Sequence, residues 1–222
     1  MYKRQGVGVH DDATAEHAVG LALASLRRIP EAVRGHGTWQ RLREGMRSLA
    51  DSRVLVLGYG SIGRALAERL LAHRAVVTAV ATTARADDLV GRVHGADELP
   101  GLLADQHVVV VLLPLGESTR GFVGTDVLGR LPDGALVVNV ARGGVLDQDA
   151  VVAEAGRLRF ALDVTDPEPL PDGHPLWSAP GVLITPHVAG GTTAMLPRIA
   201  ALVRDQLQRY AAGDPLRNVV HP

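Results

Sequence analysis

The sequence predicts the α/β class, with a doubly wound, mostly parallel sheet. Two observations lead to this prediction. Short runs rich in valine and leucine alternate with helical stretches, and Gly, Pro or Asp bound the runs. Most of the runs are apolar throughout, which is typical of parallel strands that are covered on both faces. Strands that alternate with helices in this way favour a parallel sheet over an all-β arrangement.

Composition is that of a globular protein. The chain has 222 residues, of which 46% are hydrophobic, so it can bury a large core. A net charge of -1, spread along the chain, predicts neither a nucleic acid nor a membrane partner. The absence of cysteine excludes disulfides and cysteine-based metal or redox sites. Without a signal-like N-terminal stretch, we expect a cytoplasmic protein.

The elements follow from local patterns. Apolar residues at helical spacing predict a first helix over residues 14–29, stopped by Pro30, before a loop that contains Gly35, Gly37 and Trp39. Strands are predicted at 53–57, 76–80, 108–113, 135–140, 159–164 and 182–185. Further helices are predicted after the first strand and over 97–103, 125–131, 147–154 and 193–212, the last ending before Gly213 and Pro215.

The stretch GYGSIG is a candidate phosphate-binding turn. It follows the first strand and opens a helix, the context in which Gly58, Gly60 and Gly63 are meaningful. Backbone N–H groups of Ser61 and Ile62 at the helix start can hold a pyrophosphate, and the glycines allow close approach. A flexible turn is the alternative. The flanking strand and helix favour a Rossmann-type dinucleotide site.

The second strand of such a site usually ends in an acid that binds the adenosine ribose. Here Ala81 takes that place, followed by Thr82, Thr83 and Arg85. An arginine with hydroxyls and no carboxylate suits a 2'-phosphate, which favours NADP modestly over NAD. Arg85 as a solvated loop residue is the alternative.

Three side chains that could take part in a reaction follow three successive predicted strands. Arg142 comes after the run at 135–140, Glu168 lies in a proline-rich loop after the next strand, and His187 follows VLIT. For His187 alone, a structural histidine, a metal ligand and a proton donor are all open. An arginine, a carboxylate and one imidazole make a poor metal site, so we expect no metal.

The same three residues suit the reduction of a ketone. The arginine binds a carboxylate with two parallel hydrogen bonds, and the imidazolium donates a proton to the carbonyl oxygen. A glutamate on the other ring nitrogen fixes the tautomer and favours the charged ring. Each residue separately has a structural alternative, but their shared sheet edge beside a nucleotide site favours this chemistry.

The motifs resemble those of the D-isomer-specific 2-hydroxy acid dehydrogenases, in their nucleotide-binding portion. The similarity lies in TAEHAVGLALASLRR, GYGSIG, the long stretch from VLLPLGESTRGF to VARGGVLD, ALDVTDPEPLPDGHPLW and VLITPHVAG, and covers nearly everything from Gly6 onward. The resemblance implies that Arg142 binds the substrate carboxylate and that His187, paired with Glu168, is the acid/base. Cofactor contacts are expected at Asp163, for the nicotinamide carboxamide, and at Leu113, Pro114, Thr119, Val140, Ala141 and Gly190.

The resemblance also implies a domain arrangement. Residues 1–13 would be a remnant of a truncated substrate domain, 14–190 the dinucleotide-binding domain with its entry helix, and 191–222 a C-terminal helix returning to the missing domain. The first five residues, MYKRQ, carry the only lysine, so we expect a non-native start and a fragment. A homodimer is expected, with residues 14–46 contributing apolar surface.

These expectations leave more than one function open. The leading hypothesis is an NAD(P)-dependent oxidoreductase that interconverts a small D-2-hydroxy acid and its 2-oxo acid, with glyoxylate, hydroxypyruvate or a phosphoglycerate-type compound as substrate. A glutamate at 168 speaks against formate, for which relatives carry glutamine. A catalytically incomplete cofactor-binding fragment and a nucleotide-sensing protein similar to the family's corepressors are the alternatives.

Overall fold

The computed structural model describes residues 3–4, 6–35 and 42–220. The elements of this part follow in the order β1 (Lys3–Arg4), α1 (Asp11–Leu26), α2 (Ile29–Val33), β2 (Arg53–Leu57), α3 (Ser61–Ala72), β3 (Val76–Val80), β4 (Arg85–Asp87), β5 (Gly91–His94), α4 (Leu99–Leu102), β6 (Val108–Val111), α5 (Thr125–Leu128), β7 (Leu136–Asn139), α6 (Gln148–Glu154), β8 (Arg159–Leu162), β9 (Val182–Ile184), α7 (Met195–Ala212) and β10 (Val219–Val220). Among the described helices, none is long and apolar enough to cross a membrane.

The main sheet confirms the predicted doubly wound α/β class. Within the described residues it has eight strands in the order β4-β5-β3-β2-β6-β7-β8-β9. All neighbours run parallel except β4, which is antiparallel to β5. The chain moves outward from β2 in one direction first and then in the other, so the loops after β2 and β6 border a crevice. Ligands of open α/β sheets bind at this kind of switch point, beyond the carboxyl ends of the strands.

Both faces of the sheet are covered, as the apolar runs predict. Successive side chains of a strand point to opposite faces. Val54 and Val56 therefore join one cluster with α1 and α3, while Leu55 and Leu57 join a second cluster with Leu128 and residues of α6 on the other face. Helix α1 packs against α3 and also against β7 and β8. The position of α1 explains why it is apolar on more than one side.

The predicted first helix was wrong at both ends. Helix α1 begins at Asp11 and ends at Leu26, instead of covering 14–29. Arg28 then adopts a left-handed conformation with φ 54°, and Pro30 lies in the first turn of the short helix α2. Proline is favoured there because the first helical N–H groups have no acceptor in the helix. The predicted loop residues Gly37 and Trp39 lie outside the described residues.

Other helices are shorter than the pattern predicts. The segment 97–103 divides into a 3-10 turn (Ala96–Glu98) and α4, and the helix predicted over 125–131 stops at Leu128. Helix α6 agrees with its prediction, since Asp147 caps it by accepting from the N–H groups of Asp149 (3.1 Å) and Ala150 (3.2 Å). The hairpin of β4 and β5 was not predicted, and it places Arg85 on a strand.

Candidate active site

The glycine turn brings backbone segments closer together than a side chain would allow at two of its three glycines. A Cβ on Gly58, whose φ is 108°, would lie 2.8 Å from the backbone carbonyl carbon of Leu112 in the loop after β6. A Cβ on Gly63 would lie 2.5 Å from the carbonyl oxygen of Gly58. Gly60 is different, since a Cβ there would meet nothing within 4 Å. Two glycines thus allow backbone packing, and Gly60 faces open space.

The start of α3 offers backbone donors to the same space. Gly60 is the N-cap residue, and the first helical bond runs from the N–H of Arg64 to its carbonyl oxygen (2.9 Å). The preceding N–H groups of Ser61 and Ile62 belong to the first turn, where no helical acceptor exists. Together with the helix dipole, these N–H groups can bind a phosphate group.

Arg85 lies against the glycine turn. Its Nη2 donates to the carbonyl oxygen of Tyr59 (2.9 Å), and its guanidinium lies 5.8 Å from the centroid of the Tyr59 ring. Thr82 and Thr83 are exposed beside it, and Ala81 is half-buried. The arginine predicted from sequence is therefore anchored at the turn while its outer face stays open to solvent.

A network of side-chain hydrogen bonds, which the sequence analysis missed, joins the glycine turn and α3 to two aspartates. The Tyr59 hydroxyl donates to Asp87 Oδ1 (3.0 Å), and Arg64 donates to Asp87 Oδ2 (3.2 Å). Arg64 also binds both oxygens of Asp88, at 2.8 and 3.1 Å. Burial and the Asp87 carboxylate raise the pKa of Tyr59 to about 12. The Arg64 guanidinium lowers the pKa of Asp88. Arg64 thus shares its single positive charge between two carboxylates, and Arg85 is a second cation at this turn, exposed to solvent.

The loop after β6 forms the next part of the crevice. Thr119 Oγ1 donates to the carbonyl oxygen of Pro114 (2.6 Å) and accepts from the N–H of Gly116 (2.8 Å). Its hydroxyl therefore closes the loop on itself. Leu113 is half-buried and Pro114 is exposed at this edge.

Arg142 follows β7 through a turn that Asn139 holds. The Asn139 amide donates to the carbonyl oxygen of Arg142 and accepts from the N–H of Ala141, both at 3.0 Å. Val140 and Ala141 are buried, whereas Arg142 is exposed and donates to the carbonyl oxygen of Ala141 (2.6 Å). Asn139 was missed by the sequence analysis, because an amide within an apolar run has no distinctive spacing.

Two loops come together at this edge. A Cβ on Gly143 would overlap the backbone carbonyl of Thr165, so only glycine allows this approach. The contact places the turn after Arg142 beside the proline-rich loop that carries Glu168. The structure thus brings the two loops that carry Arg142 and Glu168 together through a glycine that the sequence analysis had not used.

His187 and Glu168 form the predicted pair. Nδ1 of His187 is hydrogen-bonded to Oε1 of Glu168. In the part of the chain that the structure describes, Nε2 of His187 has no hydrogen-bond partner, and the side chain is 43% exposed. His187 has a left-handed backbone with φ 52°, a conformation that costs a non-glycine residue roughly 1–2 kcal/mol. The surrounding contacts must therefore stabilise this loop.

Asp163 supplies those contacts. Its carboxylate accepts from the N–H groups of Val188 (3.0 Å) and Ala189 (2.9 Å) and from the Thr185 hydroxyl (2.6 Å). Its own carbonyl oxygen accepts from the N–H of His187 (2.7 Å). The Asp163 side chain is fully buried, and Nε2 of His17 lies 3.2 Å from Oδ1. His17 was not predicted as a site residue.

The remaining predicted positions have less distinctive surroundings. Gly190 is half-buried, and a Cβ there would lie 2.9 Å from Nδ1 of His10. Among the described residues, no three histidine or acidic side chains are close enough to hold a metal ion.

The fold and the glycine turn define a dinucleotide-binding domain of the doubly wound α/β class. The family model for the "D-isomer specific 2-hydroxyacid dehydrogenase, NAD binding domain" matches residues 19–189. The chain belongs to this family.

Named relatives agree with that assignment. The chain is 32% identical over 216 residues to human glyoxylate reductase/hydroxypyruvate reductase, covering 92% of this chain and 65% of the relative. It is 33% identical over 217 residues to the D-3-phosphoglycerate dehydrogenase of Archaeoglobus fulgidus, covering 94% of this chain and 41% of the relative. The chain therefore spans about two thirds of one relative and two fifths of the other.

A solved structure is similar over the whole chain. It is a D-isomer specific 2-hydroxyacid dehydrogenase from Xanthobacter autotrophicus Py2 in complex with NADPH and MES. The TM-score is 0.87 at 34% sequence identity, with 100% of this chain and 93% of that chain covered.

Proposed function

We propose that the chain is the nucleotide-binding part of an NAD(P)-dependent oxidoreductase that interconverts a small 2-oxo acid and a D-2-hydroxy acid. The observation that carries the proposal is the His187–Glu168 pair, whose free Nε2 lies at the carboxyl edge of a sheet with a dinucleotide-type glycine turn. Family membership and the named relatives support the same reaction class. Glyoxylate, hydroxypyruvate and a phosphoglycerate-type acid stay open as substrates.

The residues present fit a nicotinamide dinucleotide. The open space at Gly60 and the first-turn N–H groups of α3 accommodate a pyrophosphate. Leu113, Pro114, Thr119, Val140, Ala141 and Gly190 would border the rest of the cofactor, whereas the Asp163 carboxylate, expected at the carboxamide, is fully buried and bonded to Thr185, Val188 and Ala189. When bound, the nicotinamide would supply hydride to the carbonyl carbon of the substrate.

The side chains of this protein would handle the proton and the substrate carboxylate. His187 would donate the proton from Nε2 to the carbonyl oxygen as that oxygen gains negative charge. Glu168, bonded to Nδ1, holds the ring in the orientation and tautomer that leave Nε2 free for this transfer. Arg142, which is exposed at the end of β7, would bind the carboxylate next to the carbonyl through two parallel hydrogen bonds.

We assign the 2'-phosphate of NADP, with a modest preference over NAD, to Arg85, Thr82 and Thr83. Arg85 is fixed on Tyr59, and the nearest acids, Asp87 and Asp88, are paired with Arg64. A phosphate would therefore meet an outward-facing guanidinium, with the carboxylates of Asp87 and Asp88 both bonded to Arg64.

We further assign residues 14–190 to the dinucleotide-binding domain, 1–13 to a remnant of the substrate domain and 191–222 to a helix that packs on that domain. Helix α7 supports this division, because one face carries exposed apolar side chains. These are Leu196, Ile199, Val203, Leu207 and Tyr210. An amphipathic helix whose apolar face lies in solvent is normally covered in the complete protein.

A homodimer is part of the same proposal. Ile29 and Val33 of α2, within the 14–46 region expected to contribute apolar surface, are 49% and 81% exposed. Light scattering of the purified chain tests this expectation, and a monomer at working concentration would contradict it for this chain.

One assay tests the proposed reaction. NADPH and NADH oxidation would be measured with a panel of 2-oxo acids, for this chain and for a chain with a complete N-terminal domain restored. Activity only in the restored chain would identify the present sequence as a cofactor-binding fragment. Cofactor binding without activity in either chain would favour a nucleotide-sensing protein and contradict the oxidoreductase assignment.

A further inference from the structure

His17 of α1 reaches the buried carboxylate behind the active-site loop. Its Nε2 lies 3.0 Å from Thr185 Oγ1 and 3.2 Å from Asp163 Oδ1. The Thr185 hydroxyl has one proton, and it donates that proton to Asp163 Oδ1 at 2.6 Å. Toward His17 the hydroxyl oxygen can therefore only accept. Nε2 of His17 thus carries a proton and donates it into this pair of oxygens.

His17 contacts the carboxylate of Asp163. This aspartate in turn holds residues 187–189, the segment that contains the proposed acid/base His187. Asp163 binds the N–H groups of Val188 and Ala189 with its two carboxylate oxygens, and the N–H of His187 with its backbone oxygen. Three successive residues are thereby fixed by one aspartate. This arrangement explains how His187 retains a left-handed backbone, which is unfavourable by itself.

His17 is important because the group that it contacts, the Asp163 carboxylate, is both charged and buried. The Asp163 side chain is fully buried, and in the described residues its carboxylate meets backbone N–H groups, a hydroxyl and the His17 imidazole. A buried carboxylate is costly unless all of its acceptor positions are satisfied. Of these partners, the imidazole is the only one that can also carry a full positive charge.

Two acidic side chains of α1 are paired elsewhere. Asp12 and Glu16 bind Arg69 of α3, and Asp12 also binds Arg198 of α7. His10 faces the carbonyl oxygen of Gly190, with Nδ1 at 3.3 Å, and does not contact Asp163. The interaction of His17 with Asp163 is therefore distinct from the ion pairs that fasten the outer side of α1.

We propose that His17 is a positioning residue, which acts through Thr185 and Asp163 to hold residues 187–189 so that His187 presents Nε2 to the substrate. This inference rests on the proposed function for its catalytic consequence. Its structural part, that the His17 donor stabilises the 187–189 segment, does not depend on turnover.

Two variants of His17 test the inference. His17→Leu removes the donor, whereas the amide of His17→Gln can place an N–H near the position of Nε2. Amide hydrogen exchange of Val188 and Ala189 would be followed by NMR in the cofactor-free chain. For His17→Leu we expect exchange at both amides to be faster by on the order of tenfold or more, relative to core strand amides such as Val56. His17→Gln should restore most of the protection.

A matched control separates positioning from loss of stability. Leu23→Ala trims a partly buried side chain of the same helix that packs in the core. It should lower Tm without a selective change at Val188 and Ala189. Unchanged exchange in His17→Leu, or an equal selective change in Leu23→Ala, would overturn the proposal.

A third variant keeps the inference testable if His17→Leu does not fold. Thr185→Val removes the intervening hydroxyl with little change in shape, and it should produce the same selective loss of protection. Protection like that of the parent chain would contradict the proposal. In an active chain, His17→Leu should lower kcat roughly tenfold, with restoration by His17→Gln and little change in the KM for the cofactor. If no variant or parent has activity, the proposed function fails, while the exchange result still decides the role of His17.

Discussion

The two ends of the crevice differ in whether their charged and polar side chains already have bonding partners. At the glycine turn, Arg64 is paired with Asp87 and Asp88, and Arg85 is fixed on Tyr59. At the other end, Arg142 is exposed, and Nε2 of His187 has no partner among the described residues. One end is held together by bonds among its own charged side chains, and in the described part of the chain the other keeps one ring nitrogen of His187 free.

This difference indicates separate roles for the two ends, one in cofactor binding and one in the reaction. Groups that are already fixed by the protein lose little freedom when a ligand arrives, so the turn end is suited to binding the cofactor. Groups with free donors can form new bonds to a substrate, so the histidine end is suited to the reaction. Substitutions at the turn should therefore change affinity, whereas substitutions at the histidine end should change turnover.

The largest effect is expected at His187. In an active chain with a complete N-terminal domain, His187→Ala should lower kcat by roughly 100-fold to 10,000-fold, the usual loss for a general acid. Cofactor dissociation constants, measured by NADPH fluorescence, should change little. Turnover close to that of the parent with every 2-oxo acid would show that the histidine is structural.

A smaller effect is expected at Gly60. Gly60→Ala places a methyl group in open space, so Tm should stay close to that of the parent chain. Affinity for NADPH and NADH should fall by roughly tenfold or more, because the methyl group would occupy the space of the pyrophosphate. Gly63→Ala is the control, since its Cβ would contact the Gly58 carbonyl oxygen and lower Tm. Unchanged affinity in Gly60→Ala would argue against a dinucleotide at this turn.

Arg85 should affect the choice of cofactor. Arg85→Ala removes a charged hydrogen-bond donor and should weaken NADPH binding about tenfold, with little change for NADH. Titration of both cofactors by fluorescence provides the measurement. A clear preference of the parent chain for NADH would contradict the assignment of Arg85 to the 2'-phosphate.

The smallest expected effect is on the titration of the Tyr59 hydroxyl, which is bonded to Asp87. The pKa of Tyr59 is raised from 10.0 to about 12, so the folded chain binds more protons than the unfolded chain between these values. This contribution to stability is present below pH 10.0 and is lost as the pH rises toward 12. Phenolate absorbance, read as the difference between the parent and Tyr59→Phe, should show the late titration.

Asp87→Asn is the matched variant for this measurement. It removes the carboxylate that favours the neutral phenol, so the titration should move to lower pH, while burial keeps part of the shift. An unshifted titration in Asp87→Asn would mean that the network does not control the charge at this end of the crevice.

The residues that could be predicted from the sequence are those whose pattern lies within a few neighbouring positions of the chain. The glycine turn follows a strand and opens a helix within a few residues, and Arg142, Glu168 and His187 each follow a predicted strand closely. Because parallel strands end at one edge, local patterns were enough to place these three on the same side of the sheet. Element ends were less predictable, as Pro30 shows, because a proline can stop one helix or start the next.

Only the tertiary structure decided which side chains support that site. His17 is 168 positions from Thr185, and no local pattern links them until α1 packs beside β8. The pairing of Arg64 with Asp87 and Asp88 depends on a short hairpin whose exposed residues have no apolar pattern. The sequence by itself determined the α/β class and predicted the candidate reactive residues, since both follow from short-range periodicity and turn chemistry. Supporting contacts came from the folded chain, because they join segments that become neighbours only through the crossover connections of the sheet.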